Sequence, residues 1–200
     1  MKKKAIIFDL GKVIIDYDLT RFTKKISALC NESSDKVFDF VFEGTLNKSF
    51  DRGDLTPKEF FEEIATNFSL NITFDDFVPL WNDIFKPIPE TEKILIELKK
   101  NYQLGLISNT NALHFPYAFN KYPAVTLLND YHLSYKMRTI KPEEKIYKQV
   151  IDFYNCKPQE LFYIDDLEWN VEAARKLGIE SVVFTTPEQL LIDLKKSAIL

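Results

Sequence analysis

The sequence predicts an α/β fold: a parallel sheet core flanked by helices, with a helical insertion after the first strand. Three observations carry this expectation. Short, continuous apolar runs alternate with segments of helical periodicity, the pattern of strands buried on both faces and joined by crossover helices. Each of the first three runs ends on a polar residue, namely Asp9, Ser108 and Asp165. Between about residues 18 and 86 the alternation stops, and one helical pattern follows another.

The elements follow in order. Ala5 to Phe8, Gln103 to Ser108, Leu161 to Ile164 and Ser181 to Phe184 are the expected strands. Between them, Pro89 to Lys100 places Ile94, Leu95 and Leu98 on one face. Pro142 to Tyr154 opens with a proline and two glutamates, as a helix N-terminus prefers. Glu168 to Leu177 stops at Gly178, a natural C-terminal cap. Strand–helix alternation of this kind gives right-handed crossovers and a Rossmann-like core. Within the insertion, Thr56-Pro57-Lys58-Glu59 is a capping box ahead of Phe60, Phe61, Ile64 and Phe68. Thr73 to Asp76 repeats the Thr-x-x-acid start ahead of Phe77, Leu80, Trp81 and Phe85. The expected organisation is therefore an α/β core of residues 1–17 and 87–200 with a helical cap of residues 18–86.

Composition narrows the functional classes. With 200 residues, 46% hydrophobic, the chain can bury a substantial core. A net charge of -4 leaves no basic excess for a phosphate backbone, so nucleic acid is not an expected partner. The apolar run after Met1-Lys2-Lys3-Lys4 ends at Phe8, too short for a signal core or a membrane span. Cys30 and Cys156 lack a CxxC context and point to reduced, buried thiols and a cytoplasmic address. His114 and His132 are isolated, which disfavours zinc. The five glycines form neither a dinucleotide fingerprint nor a P-loop. Arg52-Gly53-Asp54 reads as a turn before the Thr56 cap, with Arg52 able to reach a cleft between cap and core.

In open α/β sheets, ligands bind outside the carboxyl ends of the strands. Asp9, Ser108 and Asp165-Asp166 are all expected there, and Lys141, just before a helix, can face the same crevice. Crowded carboxylates need a cation to ionise together, and an all-oxygen donor set suits Mg²⁺. A lysine and a hydroxyl complement phosphate oxygens.

Four segments extend this. Phe8-Asp9-Leu10-Gly11-Lys12-Val13, Leu106-Ile107-Ser108-Asn109, Lys141-Pro142-Glu143 with Ile146-Tyr147, and Tyr163-Ile164-Asp165-Asp166 resemble the motifs of the haloacid dehalogenase-like hydrolase superfamily. They occur in that family's order and cover nearly the whole chain. The stretch from Val13 to Asp16 is similar to the branch with bacterial sugar-1-phosphate phosphatases and the phosphatase domain of soluble epoxide hydrolases.

The resemblance implies a Mg²⁺-dependent phosphatase that hydrolyses small phosphorylated metabolites, sugar phosphates among them, through an aspartyl-phosphate on Asp9. It makes Asp9 nucleophile and metal ligand, the Gly11 carbonyl a second ligand, and Asp166 the principal acidic ligand with Asp165 as ligand or support. Asn170 falls where relatives often carry another acid. Ser108 and Asn109 would hold the phosphoryl group, and Lys141 would offset its charge and steady Asp9. Whether the chain is a monomer or a homodimer stays open.

One departure matters. Most phosphatases of the family have a second aspartate two residues after the nucleophile, as general acid and base, and here that position is Gly11. Such a group contributes on the order of 10² to 10⁴ in rate. Asp16 or a residue of the cap are the candidates to replace it. Without a replacement, easily expelled leaving groups, as in sugar-1-phosphates and aryl phosphates, are expected to react best. A metal-independent 2-haloacid dehalogenase and a weakly active phosphate-binding regulator are the alternative functions. A receiver domain is disfavoured, because its acidic pair ends the first strand.

Overall fold

The computed structural model describes residues 3–200. Seven strands and twelve α-helices are formed among them: β1 (Ala5–Phe8), β2 (Ile15–Tyr17), α1 (Thr20–Ser27), α2 (Ser34–Phe38), α3 (Leu46–Arg52), α4 (Pro57–Asn67), α5 (Phe74–Asn82), β3 (Phe85–Pro87), α6 (Pro89–Leu98), β4 (Gln103–Ser108), α7 (His114–Lys121), α8 (Pro123–Thr126), β5 (Asp130–Leu133), α9 (Ser134–Met137), α10 (Glu144–Tyr154), β6 (Leu161–Asp165), α11 (Glu168–Lys176), β7 (Glu180–Val183) and α12 (Pro187–Lys196). Five strands make one parallel sheet in the order β5-β4-β1-β6-β7. The expected parallel α/β core is therefore present.

β1 is the central strand, and its side chains alternate between two cores. Ile6 and Phe8 join Leu104, Leu106, Phe162 and Ile164 in one buried layer, closed by Leu95 and Leu98 of α6 and by Leu190 and Leu194 of α12. Ala5 and Ile7 join Ile107 and Tyr163 in the other, closed by Ile146, Tyr147 and Val150 of α10. Burial on both faces is what removed any polar alternation from these runs.

The insertion builds its own core. Phe22 and Ile26 of α1, Phe50 of α3, Phe60 and Ile64 of α4, and Phe77 and Trp81 of α5 form a third buried cluster. Trp81 stacks near-parallel on Phe42, Phe77 and His114, and Phe50 stacks on Phe60. The aromatics of this segment are packing, as the helical spacing implied. Both capping boxes form, Thr56 with Glu59 and Thr73 with Asp76. The two-stranded antiparallel pair β2–β3 lies where the chain leaves the sheet and returns to it.

Three local expectations differ from the structure. β5 carries no continuous apolar run, because Asp-Tyr-His-Leu occupies a sheet edge; it pairs only with β4, and Asp130 and Tyr131 stay partly exposed. The helix expected from Pro142 begins at Glu144, and Glu143 is its N-cap residue, with its carboxylate turned to Arg52 and Thr139. Cys30 and Cys156 are unpaired but only half-buried. Among the described residues no helix is long and apolar enough to cross a membrane.

Candidate active site

The carboxyl ends of β1, β4 and β6 deliver Asp9, Ser108 and Asp165 to one edge of the sheet, where they meet Lys141. Lys141 is 4% exposed. Its Nζ lies 2.7 Å from an oxygen of Asp9 and 2.7 Å from an oxygen of Asp165, and it also donates to the Ile107 carbonyl at 3.2 Å. Burial alone would lower this ammonium, but Asp9 and Asp165 outweigh burial and hold it above its ordinary value. It is cationic throughout the physiological range.

Its two carboxylates behave differently. Burial pushes Asp9 up, to about 7, with Asp165 and Asp166 adding to the effect and Lys141 opposing it. Burial acts on Asp165 too, yet that group is held below its ordinary value by Lys141, the Tyr163 hydroxyl and the Leu167 backbone N–H. Asn170 Nδ2 adds contacts of 3.0 and 3.2 Å to the two Asp165 oxygens. Asp165 is thus committed to protein donors and anchors Lys141. Asp166 is half-buried, lines the cleft, and is raised by burial and by Asp165.

Oxygens of Asp9, Asp165 and Asp166 lie within 4.8 Å of one another, close enough to hold a metal ion. A further sign comes from Asn170, which lines the same cleft. Its Oδ1 is buried without a hydrogen-bond partner, while its Nδ2 is fully used. A buried acceptor left unpaired costs roughly 1–3 kcal/mol unless something else satisfies it. The carboxylates, this amide oxygen and Gly11 at the cleft wall form a donor set made only of oxygens, which fits a hard divalent cation.

Ser108 is 2% exposed and faces the cleft at the end of β4. Asn109 also lines the cleft, but its side chain is used structurally. Its Oδ1 accepts from the Lys141 N–H at 2.7 Å and its Nδ2 donates to the Lys141 carbonyl at 3.0 Å. This reciprocal pair fixes the backbone that aims Lys141.

Gly11 has a local reason. A Cβ there would lie 2.6 Å from Cε1 of the Tyr17 ring. The Tyr17 phenol stands on the cleft wall, pushed up to about 12 by burial and by Asp166 and Asp9. Asp16 is bonded to Lys12 at 2.6 Å and to the Tyr17 N–H, and it is not among the cleft-lining residues.

The cleft holds about 170 Å³, and its far wall comes from the insertion through Leu19, Phe42, Asn47 and Asp51. Asp51 and His114 escaped the sequence reasoning. Asp51 is half-buried, accepts from Asn111 Nδ2 at 2.9 Å and Asn47 Nδ2 at 2.9 Å, and is pushed up to about 6 by desolvation against the pull of those two amides. His114 Nε2–H donates to the Trp81 carbonyl at 3.1 Å and Nδ1 lies 3.3 Å from Asn111 Nδ2; burial lowers the ring to about 3, so it is neutral. Arg52 does not line the cleft and pairs instead with Glu143.

A five-stranded parallel sheet with an acidic, lysine-bridged cluster at its carboxyl edge is a candidate site for a divalent cation and an anionic group. The haloacid dehalogenase-like hydrolase profile matches residues 6–184, and the chain belongs to that family. A D-ribitol-5-phosphate phosphatase of Bacteroides thetaiotaomicron is 26% identical over 188 residues, spanning 89% of this chain and 90% of the relative. A solved structure of a family enzyme from the same organism, in complex with magnesium and inorganic phosphate, superposes with a TM-score of 0.83 at 26% identity, covering 92% of this chain and 94% of that one. The bifunctional epoxide hydrolase 2 of Rattus norvegicus is 37% identical over 57 residues, which is 28% of this chain and 10% of the relative.

Proposed function

We propose that this chain is a Mg²⁺-dependent phosphatase that hydrolyses small phosphorylated metabolites, sugar or polyol phosphates among them, through an aspartyl-phosphate on Asp9. The observation that carries it is the Lys141 ammonium held 2.7 Å from Asp9, in a cleft also lined by Asp166 and by Asn170 with its unpaired oxygen. That arrangement combines carboxylate and amide oxygens suited to a cation with a fixed positive charge suited to a phosphoryl group. The relative that acts on D-ribitol 5-phosphate and the neighbour that binds magnesium and phosphate support it.

In the proposed reaction, an Asp9 oxygen forms a bond to phosphorus as the ester P–O bond breaks. Lys141 and the Ser108 hydroxyl hold the phosphoryl oxygens, Lys141 as a charge and Ser108 as a donor. Water then attacks phosphorus and returns Asp9 and inorganic phosphate. Mg²⁺, held by Asp9, the Gly11 carbonyl and Asp166, would neutralise phosphoryl charge. Asp165 acts through Lys141. Residues 18–86 serve as a cap over a core of residues 1–17 and 87–200, and choose the substrate. The unpaired cysteines fit a cytoplasmic setting.

The dehalogenase alternative needs no metal and gives no account of the unpaired Asn170 oxygen. A panel of phosphorylated metabolites and 2-haloacids, each assayed with Mg²⁺ and with excess chelator, tests the proposal. Phosphate release that requires Mg²⁺, and that is lost in Asp166→Ala, is expected. Turnover that persists in chelator would overturn it, as would phosphate binding without turnover.

A further inference from the structure

Gly11 leaves the departing oxygen without the acid that this reaction class uses, and the structure shows why that acid is not simply displaced to a neighbour. The space a side chain at position 11 would enter is filled by the Tyr17 ring. Asp16 is partly exposed and ion-paired to Lys12. The proton donor must then come from another titratable group on the cleft wall.

Those groups are few: Asp9, Tyr17, Asp51, His114, Lys141 and Asp166. Asp9 is the nucleophile and Lys141 is bound between two carboxylates. Asp166 belongs to the cation site. The His114 nitrogens are both engaged, one by the Trp81 carbonyl and one by Asn111. The Tyr17 phenol holds its proton too tightly to cycle it near neutral pH. Asp51 remains.

We propose that Asp51, contributed by the helical layer, is the general acid and base of the reaction, taking the place of the aspartate absent at position 11. This deepens the phosphatase reading and rests on it. The position is built. Asn111, which holds one Asp51 oxygen, lies three residues beyond Ser108 in the loop leaving β4. Ser134 Oγ fastens that loop to α3, lying 2.5 Å from the Asp51 carbonyl and accepting from the Thr110 N–H at 2.9 Å. The Asp51 carboxyl is therefore fixed against the same loop that presents Ser108, and both line the cleft.

Its chemistry suits the task. Among the described residues Asp51 forms no salt bridge: Arg52, next in α3, turns to Glu143, and Arg138 of the α9 end lies 3.4 Å from Asp54. Tyr17 and the neutral His114 face the same region. Desolvation outweighs its two amide hydrogen bonds and pushes the carboxyl up to about 6, close enough to the working pH for it to give and take a proton. As Asp9 bonds to phosphorus and the ester P–O electrons pass to the leaving oxygen, the Asp51 proton goes to that oxygen and an alcohol departs. The Asp51 carboxylate then takes the proton of the water that attacks the aspartyl-phosphate, which restores Asp51 and frees Asp9 and phosphate.

The test measures kcat/KM, with Mg²⁺, over phosphoesters graded from nitrophenyl to primary alkyl leaving groups, for the wild type and Asp51→Asn. The wild type should show a shallow dependence on leaving-group pKa. Asp51→Asn should lose roughly 10²- to 10³-fold on alkyl phosphates and less than about tenfold on nitrophenyl phosphate, giving a steep dependence. A steep dependence in the wild type overturns the proposal, and that measurement does not require the variant to fold. Equal losses on all esters also overturn it and reduce Asp51 to a structural role, with the phosphatase reading intact. A wild type inactive on the whole panel removes the phosphatase reading and this inference with it.

Discussion

Lys141 sets one ammonium between two buried carboxylates, and the unequal claims on it define what each residue can do. Asp165 is surrounded by donors and stays ionised, so it fixes Lys141. Asp9 keeps a proton up to about pH 7 because burial outweighs its ion pair. Its folded pKa lies above the unfolded value of about 3.9, so the associated stability is full below that value and is lost as pH rises through about 7. Ionised Asp9 without a cation is therefore a strained state. Asp9→Asn should raise the melting temperature by a few degrees at pH 8 without Mg²⁺, while turnover falls by 10³-fold or more. Thermal melts with and without Mg²⁺, and kcat, check both halves. A melting temperature lower than the wild type's at pH 8 in chelator would mean that the Asp9–Lys141 contact is net stabilising. Gly11 gives a second test. Gly11→Ala should cost about 1–3 kcal/mol by driving a methyl into the Tyr17 ring, and Tyr17→Ala should recover much of that loss, read as non-additivity in denaturant unfolding. Asp9, Ser108, Lys141 and the Asp165-Asp166 pair were legible because each directly follows or ends a recognisable apolar strand, or precedes a helix. Asp51, Tyr17 and His114 were not, because tertiary contacts with no local sequence signal bring them to the cleft, with Asn111 bridging Asp51 and His114.

α3 is the element on which the two layers depend. It carries Asn47, Phe50, Asp51 and Arg52 in seven residues, so one helix fills the aromatic core, lines the cleft and spans to the sheet domain. Its C-terminal end at Gly53 adopts φ +84°, and a Cβ there would strike the Tyr135 carbonyl at 2.3 Å. Only glycine permits that approach between α3 and α9. Arg52 then grips Glu143 with both nitrogens, and Thr139 Oγ1 donates to the same carboxylate at 2.8 Å. The side chains of this pair are 32% and 39% exposed, so its stability contribution is at most about 1 kcal/mol. Its value lies in the placement of α3. Arg52→Met should leave the melting temperature within about 3 °C while lowering kcat/KM several-fold, measured on whichever substrate the phosphoester panel identifies. The Arg52 guanidinium holds Glu143 down, to about 2, so the pair persists above the unfolded carboxyl value and fails only as pH falls through about 2. The central strands and the capped helices of the insertion were readable, since continuous apolar runs and Thr-x-x-acid starts are local signals. β5 was not, because its pairing with β4 is satisfied at an edge that asks for little apolar surface.

At the scale of the whole molecule, one of the links between the insertion and the sheet is a largely buried polar chain, from Asp51 to Asn111 to His114 to the Trp81 carbonyl. His114 stacks on Trp81 with ring centroids 4.5 Å apart, so the imidazole belongs to the aromatic core of the insertion while its backbone starts α7 of the sheet layer. Burial holds this ring neutral, down to about pH 3, against 6.5 for a free imidazole. The unfolded chain therefore binds a proton between those values that the folded chain does not. Stability is full above about pH 6.5 and is lost as pH falls toward 3, by up to roughly 5 kcal/mol if the ring stays fully buried. Asp51 works in the opposite sense, since its raised pKa makes folding more favourable as pH falls below about 6. The two groups share Asn111, so they do not titrate independently. Protonated His114 would present an N–H to the Asn111 amide that now faces it, and Asn111 would have to release Asp51 or turn. Acid should therefore loosen the contact between the layers before the sheet itself unfolds. The melting temperature of the wild type should fall by on the order of 10 °C between pH 6.5 and 4.5, with the fluorescence of Trp81 changing ahead of the far-ultraviolet circular dichroism. His114→Phe keeps the stack but removes the titrating nitrogens, and should flatten that dependence at some cost in absolute stability from the unpaired Asn111. Since Trp169 is also present and exposed, the fluorescence arm is read in a Trp169→Phe background. Parallel pH profiles for wild type and His114→Phe would show that the acid sensitivity resides elsewhere, and the chain from Asp51 to Trp81 would then be a rigid strut with no part in the pH response.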